Sequence, residues 1–450
     1  MIELWECEWQ ELKKMDPDLR SFLRSRFRRD IDFKTRMSQN QVLSAVREGT
    51  LFGMVECDIE VPEHLKDYFV EMTPIFKNVE VSREDVGEHM ANYAKENGLF
   101  SQPRRTLIGS YKAEKILLAT PLLKWYLEHN LKVSKVYQVV QYWPEDCFRL
   151  FGEEVSQARR DGDRDSNLEV IANTMKLLGN CGYGKTVTNK DRHREVVYCT
   201  PQEAPEMVNE ARFRKLQQID KEVYEVEMAK KEIRYDLPLQ IGFFVYSYAK
   251  LRMLQFYYDF LDKFIDRQDF EYVEMDTDSA YVALAGKSLE ELVKPHLRGQ
   301  FYEEWDQWFQ AEACDRHRQD FVTQKTAGQP WTPQPCCQAR KKYDRRTPGL
   351  FKIEWQGTGM VGLCSKTYYG WGEDGNKCSC KGVSRQHTDL SRDKYLTVLK
   401  DQTNQVGMNV GFKLRDNQMY TYTQVKDALT YLYPKRKVLS DGVTTLPLDL

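Results

Sequence analysis

The sequence predicts a mixed α+β protein with an interrupted sheet, and three observations carry that reading. Strand-forming runs and helically periodic stretches alternate irregularly along 450 residues, with no internal repeat or low-complexity tract. A hydrophobic fraction of 41% with 12% aromatics suits a packed interior rather than a disordered chain. The length exceeds what one small core serves, so two or three subdomains are expected.

Taken in order, residues 1–57 join a short apolar start to a basic stretch expected as helix. There Arg20, Arg24, Arg26, Arg28, Arg29, Lys34 and Arg36 stand against Asp30 and Asp32. Residues 51–61 read as a strand that stops at Pro62. Residues 108–129 read as helix, with Ile116, Leu117, Leu122, Leu123 and Tyr126 available for burial, and residues 133–143 read as extended. Residues 152–169 are charged and contain the turn-prone Asp161-Gly162-Asp163. A helix follows, with Leu168, Ile171, Met175 and Leu178 at spacings of 3, 4 and 3. Residues 239–265 read as one long apolar helix whose aromatic rings are core. Residues 296–349 are polar with a Pro-rich loop at 332–335, and strands resume over 350–355 and 362–369.

The near-balanced charge of −2 gives no global field that would announce a nucleic-acid partner. Local basic runs at 20–36 and 340–346 are candidates for phosphate contact, against their ordinary reading as solvated faces. Eleven cysteines without a regular framework suit a reducing compartment. Cys336-Cys337 and Cys378-Ser379-Cys380 lack paired C-x-x-C spacing, so they read as free thiols. No segment approaches the ~20 apolar residues that span a membrane, and Met1 leads into no signal pattern. The expected protein is intracellular and makes no membrane contact, with the nucleus among the compartments that fit.

Two short motifs carry chemistry. Asp276-Thr277-Asp278-Ser279 lies in a strand-forming run, where alternation would put both aspartates on one face, suited to holding divalent metal. The plain alternative is a polar hairpin turn. Gly179-Asn-Cys-Gly-Tyr-Gly184-Lys185-Thr186 matches G-x-x-x-x-G-K-[ST], but a phosphate-cradling loop needs a strand before it and a helix after it. Here helical periodicity precedes the motif. Lys176, Asn180 and Tyr183 instead fall on one helix face, where a lysine can meet a triphosphate and an aromatic can stack near a sugar or base. Gly182 and Gly184, lacking a Cβ, would admit a nucleic-acid backbone; the plain alternative is a helix ending in glycines.

Together, Lys176-Leu-Leu-Gly-Asn180-Cys181-Gly-Tyr183-Gly184 and Asp276-Thr277-Asp278-Ser279 resemble motifs B and C of family B DNA polymerases, K-x-x-x-N-S-x-Y-G and D-T-D-S. Ser365-Lys366-Thr367-Tyr368 resembles that family's K-x-Y motif, placed downstream of motif C as expected. The short gaps are most similar to the protein-primed subgroup of bacteriophages, linear plasmids and Maverick/Polinton-type mobile elements. The resemblance covers residues 50–390 and implies a palm of antiparallel sheet with packed helices, helical fingers and a partial thumb. Its divisions are an N-terminal remnant at 1–50, the first part of the palm at 51–150, fingers with motif B at 151–235, palm with motif C at 236–295, palm or insertion with K-x-Y at 296–390, and a thumb-like 391–450.

The resemblance implies template-directed deoxynucleotidyl transfer with two Mg²⁺ ions about 3.5–4 Å apart. Asp278 would be the main metal ligand of motif C and Asp276 its partner. Lys176 would neutralise the triphosphate, with Arg164 a further candidate beside it. Tyr183 would pack near the incoming sugar, and Asn180 and Gly184 near the nascent pair or template. Lys366 and Tyr368, sharing a strand face, would hold the primer end. Implied partners are a DNA primer–template, deoxynucleoside triphosphates and a terminal priming protein.

The sequence also departs from the family. Cys181 stands where motif B carries serine. No D-x-x-S-L-Y-P motif, source of the other principal metal-binding aspartate, precedes motif B; the stretch from Asp427 to Pro434 is one residue too long and lies downstream. Asp58-Ile59-Glu60 matches the first exonuclease motif but reads better as a palm strand, and Trp5-Glu-Cys-Glu-Trp9 is too short to carry a function. The expectation is therefore the C-terminal polymerase portion of a longer element-encoded protein, or a truncated genomic copy, impaired as this chain alone. The alternatives are a non-catalytic DNA-binding relic and a P-loop NTPase.

Overall fold

The structure is a computed structural model that describes residues 37–415, 418–448 and 450. The basic stretch at 20–36 and the Trp5–Trp9 segment lie outside the described residues. Helices and antiparallel sheets are mixed along the chain, in agreement with an α+β class.

One compact unit comprises the described residues up to Glu60 with Glu114–Glu145. Its helix α1 (Gln39–Glu48) starts at Ser38 and Gln41, which form a reciprocal capping box, and ends at Gly49 with φ 75°. Strand β1 (Gly53–Glu60) forms within the expected 51–61 and buries Val55, Cys57 and Ile59.

The other unit comprises Val61–Ala113 and Asp146–Leu450. It begins with strand β2 (Ile75–Val81), helix α2 (Glu88–Glu96) and strand β3 (Arg104–Ser110), with β2 and β3 paired antiparallel. Residues 108–119, expected as helix, instead end β3 and form β4 (Lys112–Ala119); from Glu114 to Glu145 the chain is back in the first unit, where β4 pairs with β1. Helix propensity is a weak prior that sheet pairing overrides. The helix starts only at α3 (Thr120–Glu128), where Pro121 sits in the first turn and Thr120 Oγ1 accepts the Gly53 N–H at 3.0 Å. Strand β5 (Lys132–Gln141) then closes the order β4–β1–β5.

Helices α4 (Arg149–Arg164) and α5 (Glu169–Thr186) lie side by side. Asp161-Gly162-Asp163, expected as a turn, is helical. A Cβ on Gly162 would fall 2.4 Å from the Ala172 methyl, so the glycine serves the approach of the two helices. The apolar stripe expected on α5 is not core: Ile171 and Leu178 are half exposed, and Thr186 is the buried residue of the helix. Strands β6 (Arg194–Cys199), β7 (Phe213–Asp220) and β8 (Val223–Ala229) form a small sheet in the order β6–β8–β7.

The long apolar segment forms α6 (Leu239–Gln255), which continues through a wider π turn at Phe256–Leu261. The π turn directs Phe256, Tyr257, Tyr258 and Phe260 into the core, while Tyr246 and Tyr248 of α6 remain about half exposed, against the expectation that all these rings are buried. After the hairpin β9 (Phe270–Asp276) and β10 (Ser279–Leu284), the supposedly polar 296–349 region contributes α7 (Arg298–Trp308), which buries Phe301, Tyr302, Trp305 and Trp308. Helices α8 (Arg318–Thr326) and α9 (Pro335–Asp344) follow. Residues 350–355, expected as a strand, form only a single bridge, Phe351 to Phe309. Trp355 lies flat on the sheet instead, close enough that a Cβ on Gly370 would meet its ring at 2.6 Å.

That sheet is β11 (Gly359–Cys364), β12 (Thr367–Trp371) and β13 (Lys377–Ser379). Helix α10 (Arg392–Asp401), the long hairpin β14 (Asn404–Arg415) and β15 (Gln418–Thr430), and the short pair β16 (Arg436–Val438) and β17 (Thr445–Pro447) complete the unit. Asp427 sits on β15 opposite Val406. Among the described residues no helix is long and apolar enough to cross a membrane.

The aromatic core under the β9–β10 hairpin is organised by Phe260, which is fully buried and touches Phe256, Phe264, Phe301, Trp308 and Phe309 at ring distances of 5.3–5.6 Å. Phe260→Ala should lower stability by about 3–5 kcal/mol, read as a shift of the urea unfolding midpoint.

Candidate active site

Along β9 the even-numbered residues face inward: Phe270 and Glu274 are buried, Tyr272 and Asp276 half-buried. The strand ends at Asp276. Asp278 therefore does not share a strand face with it, as alternation alone would suggest, but sits in the turn. Thr277 adopts φ 53°, and the Asp278 N–H donates to the Asp276 carbonyl at 2.6 Å. A three-residue turn around a positive-φ, β-branched residue is strained, and such strain persists only where neighbours over-determine it. Two side-chain bonds help to do so: Thr277 Oγ1 donates to Asp276 Oδ1 at 3.2 Å and Ser279 Oγ to the Asp276 carbonyl at 3.2 Å. Both carboxylates thus flank one sharp turn, with Asp276 half-buried and Asp278 exposed.

Lys366 ties a second hairpin to the first. It is not on a strand beside Tyr368 but in the β11–β12 turn, with φ 66°. Its N–H donates to Glu274 Oε1 at 3.0 Å and its ammonium lies 3.1 Å from Asp276 Oδ2. Tyr368, on β12, contacts the hairpin differently: its hydroxyl is 2.7 Å from that of Tyr281 on β10. Burial, followed by the Tyr281 contact, pushes the Tyr368 phenol up to about 12.

On the α5 helix, burial, the Tyr246 phenol and the Asp278 carboxylate, in that order, push the Tyr183 phenol above its ordinary value. Tyr183 packs edge-on against Tyr246 of α6, with centroids 5.7 Å apart. Its backbone is fixed by a glycine crossing. A Cβ on Gly242 would lie 2.5 Å from Val187 Cγ1 and 3.1 Å from the Tyr183 carbonyl.

Residues 179–186 are helical throughout, so no phosphate-cradling loop forms there. The Thr186 hydroxyl accepts the Gly242 N–H at 3.1 Å and donates to the Tyr183 carbonyl at 2.6 Å, a structural use. Gly182 faces Phe151 of α4 rather than an open groove, whereas a Cβ on Gly184 would meet nothing within 4 Å. Lys176 and Asn180 are exposed on the Tyr183 face. Arg164 does not join them; it is exposed and lies 3.5 Å from Asp161. The basic run at 340–346 is largely engaged within the protein, with Arg340 on Asp344, Lys341 on Glu312 and Arg346 on Asp163. Asp58 and Glu60 belong to β1, where Asp58 accepts the Lys115 N–H and the Tyr137 hydroxyl.

Sequence reasoning missed two residues. Glu274 is buried on the same strand face as Asp276, two residues before it, and its Oε2 makes no hydrogen bond. The i, i+2 spacing was the available signal. Lys250 lies one helical turn beyond Tyr246 on α6, over the Phe76 ring, and burial pushes its ammonium down to about 8.

Comparison of the chain with known protein families, with curated proteins and with solved structures returns no match.

Burial first, and then repulsion from Asp276 against the opposing Lys366 N–H, raises the Glu274 carboxyl above 4.5. A raised native value means that the fold favours the protonated acid. Its stabilising effect is complete below 4.5 and is lost as pH rises through the native value. Glu274→Gln should therefore raise the melting temperature at neutral pH, with the advantage disappearing in melts below pH 4.5.

Proposed function

We propose that the chain binds primer–template DNA and deoxynucleotides and is a template-directed nucleotidyl transferase of the family B DNA polymerase kind. The observation that supports this reading best is convergence. Two sequence-distant motifs meet at one strained turn: Asp276 is paired with Lys366 of the β11–β12 turn, while the Asp278 carboxylate is among the charges that raise the Tyr183 phenol of α5.

In this reading the primer 3′-hydroxyl attacks the α-phosphate of the nucleotide, and pyrophosphate leaves. Lys176 meets the triphosphate from the exposed face of α5, as a compact point charge. Tyr183, braced by Tyr246, packs against the incoming sugar. Asn180 and Gly184 lie on the side of the nascent pair or template. Lys366 and Tyr368 take the primer end. Asp276 and Asp278 are hard oxygen donors of the kind that hold Mg²⁺ together with water and substrate phosphates, and the unbonded Glu274 oxygen adds a third on the Asp276 face. Bound there, Mg²⁺ would supply charge neutralisation at the reacting phosphate and a more acidic 3′-hydroxyl. Asp276 is the carboxylate that the Lys366 ammonium neutralises, so lysine and divalent cation compete for it. With no D-x-x-S-L-Y-P aspartate in the sequence, turnover by this chain alone is expected to be slow.

The test is Mg²⁺-dependent extension of a labelled primer. Incorporation that Asp278→Ala abolishes supports the transferase. Binding of primer–template without extension under any metal leaves a non-catalytic DNA-binding protein, and no binding at low salt overturns both readings. Lys176→Ala should weaken nucleotide affinity roughly 10- to 100-fold, as loss of a charged hydrogen bond implies, measured by titration of the ternary complex. Asp276→Asn should abolish extension yet tighten primer–template binding, because it frees Lys366. The salt dependence of binding should then steepen by about one counterion.

A further inference from the structure

We infer that Cys314, His317, Cys336 and Cys337 form a closed, structural zinc site. One ligand atom from each lies within 4.8 Å of all the others. The geometry is more specific than proximity. Zinc held at about 2.3 Å from sulfur and about 2.0–2.1 Å from nitrogen in a tetrahedron sets S···S edges near 3.8 Å and S···N edges near 3.6 Å. The His317 Nδ1 lies 3.3 Å from Cys314 Sγ, 3.5 Å from Cys336 Sγ and 3.5 Å from Cys337 Sγ. Cys314 Sγ lies 3.6 Å from Cys336 Sγ and 3.9 Å from Cys337 Sγ. All five are within 0.3 Å of the tetrahedral edges on this estimate.

Other accounts of the cluster fail on valence. One imidazole nitrogen has a single lone pair or a single N–H, so it cannot bond three sulfurs at once. A disulfide needs sulfurs at about 2.05 Å, far closer than the Cys314 contacts. Three thiolates and one imidazole are instead a Cys₃His set that completes a four-coordinate shell, and soft sulfur donors in a tetrahedron select zinc over magnesium or calcium.

The fold presents these residues from two short approaches. Cys314 and His317 bracket a tight turn just before α8, closed by the His317 N–H on the Cys314 carbonyl at 2.9 Å. Cys336 and Cys337 occupy the first turn of α9 directly after Pro335, where the helix dipole favours thiolate. Cys337 is fully buried and the other three are half-buried, as a closed site requires. The spacing C-x₂-H-x₁₈-C-C explains why a search for paired C-x-x-C finds nothing: the second pair is adjacent and lies across a helix and a Pro-rich loop.

The knot has a structural consequence. The far end of α9 and the residues just after it hold α4: the Arg160 guanidinium lies 3.8 Å over the Tyr343 ring, and Arg346 Nε donates to Asp163 at 2.7 Å. Helix α4 in turn packs along α5, so the metal anchors the base of the helix that carries Lys176 and Tyr183. This inference does not depend on the polymerase reading.

The test is elemental analysis of the full chain purified under reductant, with about one zinc per chain expected. Cobalt loading should give thiolate-to-metal charge-transfer absorption. Cys314→Ser and Cys336→Ser should lose the metal, and the exposed Cys147→Ser should keep it. Should the cluster variants fail to fold, wild-type protein still decides: Cys314, Cys336 and Cys337 should resist alkylation, read by mass spectrometry, until a chelator is added. A folded, reduced protein that holds no metal after zinc reconstitution overturns the proposal. So does alkylation of these thiols at the same rate with and without zinc.

Discussion

The candidate site depends on one residue in a left-handed turn. Lys366 reaches the β9 strand twice, with its backbone N–H on Glu274 and its side-chain ammonium on Asp276. A lysine on a regular strand would present its N–H to a neighbouring strand and its side chain to one face. At φ 66° both can point to the same hairpin. The contact brings a positive charge against a buried and a half-buried carboxylate, which would otherwise repel each other across the i, i+2 spacing. It also supports the strained Thr277 turn, because it fixes the strand end from which that turn departs.

A second constraint orders the exposed face of α5. At Gly242, α5 and α6 approach so closely that any side chain would collide, and Thr186 bonds across the gap. This crossing holds Tyr183 against Tyr246 and leaves the Lys176–Asn180–Tyr183 face free. The face is flanked by exposed apolar side chains, including Val170, Leu177 and Leu178. Helices α4 and α5 are anchored in turn by α9, whose far end carries the cysteine–histidine cluster. The face of α5 and the cysteine–histidine cluster are thus two ends of one mechanical connection.

Much of the site was legible because its motifs are short and local. Lys176, Asn180 and Tyr183 share a helix face by periodicity alone, and the helix before Gly179 correctly argued against a phosphate-binding loop. Legibility failed where geometry depends on partners. Asp276 and Asp278 were placed on one strand face, and Lys366 with Tyr368 on another, because period-2 alternation assumes that the strand continues. In both cases a positive-φ residue ends it. Glu274 was overlooked since a glutamate in a strand reads as solvent-facing until its burial is known. Residues 108–119 were read as helix because isolated propensity cannot anticipate a distant strand that captures the segment, and Gly162 as a turn because the helix it packs on is invisible in its own neighbourhood.

By itself the sequence determined the α+β class, the helical face that carries Lys176, Asn180 and Tyr183, and the presence of paired aspartates. These follow from local periodicity and residue chemistry, which act over a few residues. Only the tertiary structure decided that Lys366 neutralises Asp276, that Glu274 is buried beside it, and that Cys314 and His317 meet Cys336 and Cys337. Except for Glu274 and Asp276, these pairings join residues from separate elements of the chain. The free energy of such contacts arises from burial and charge proximity, which no local pattern encodes.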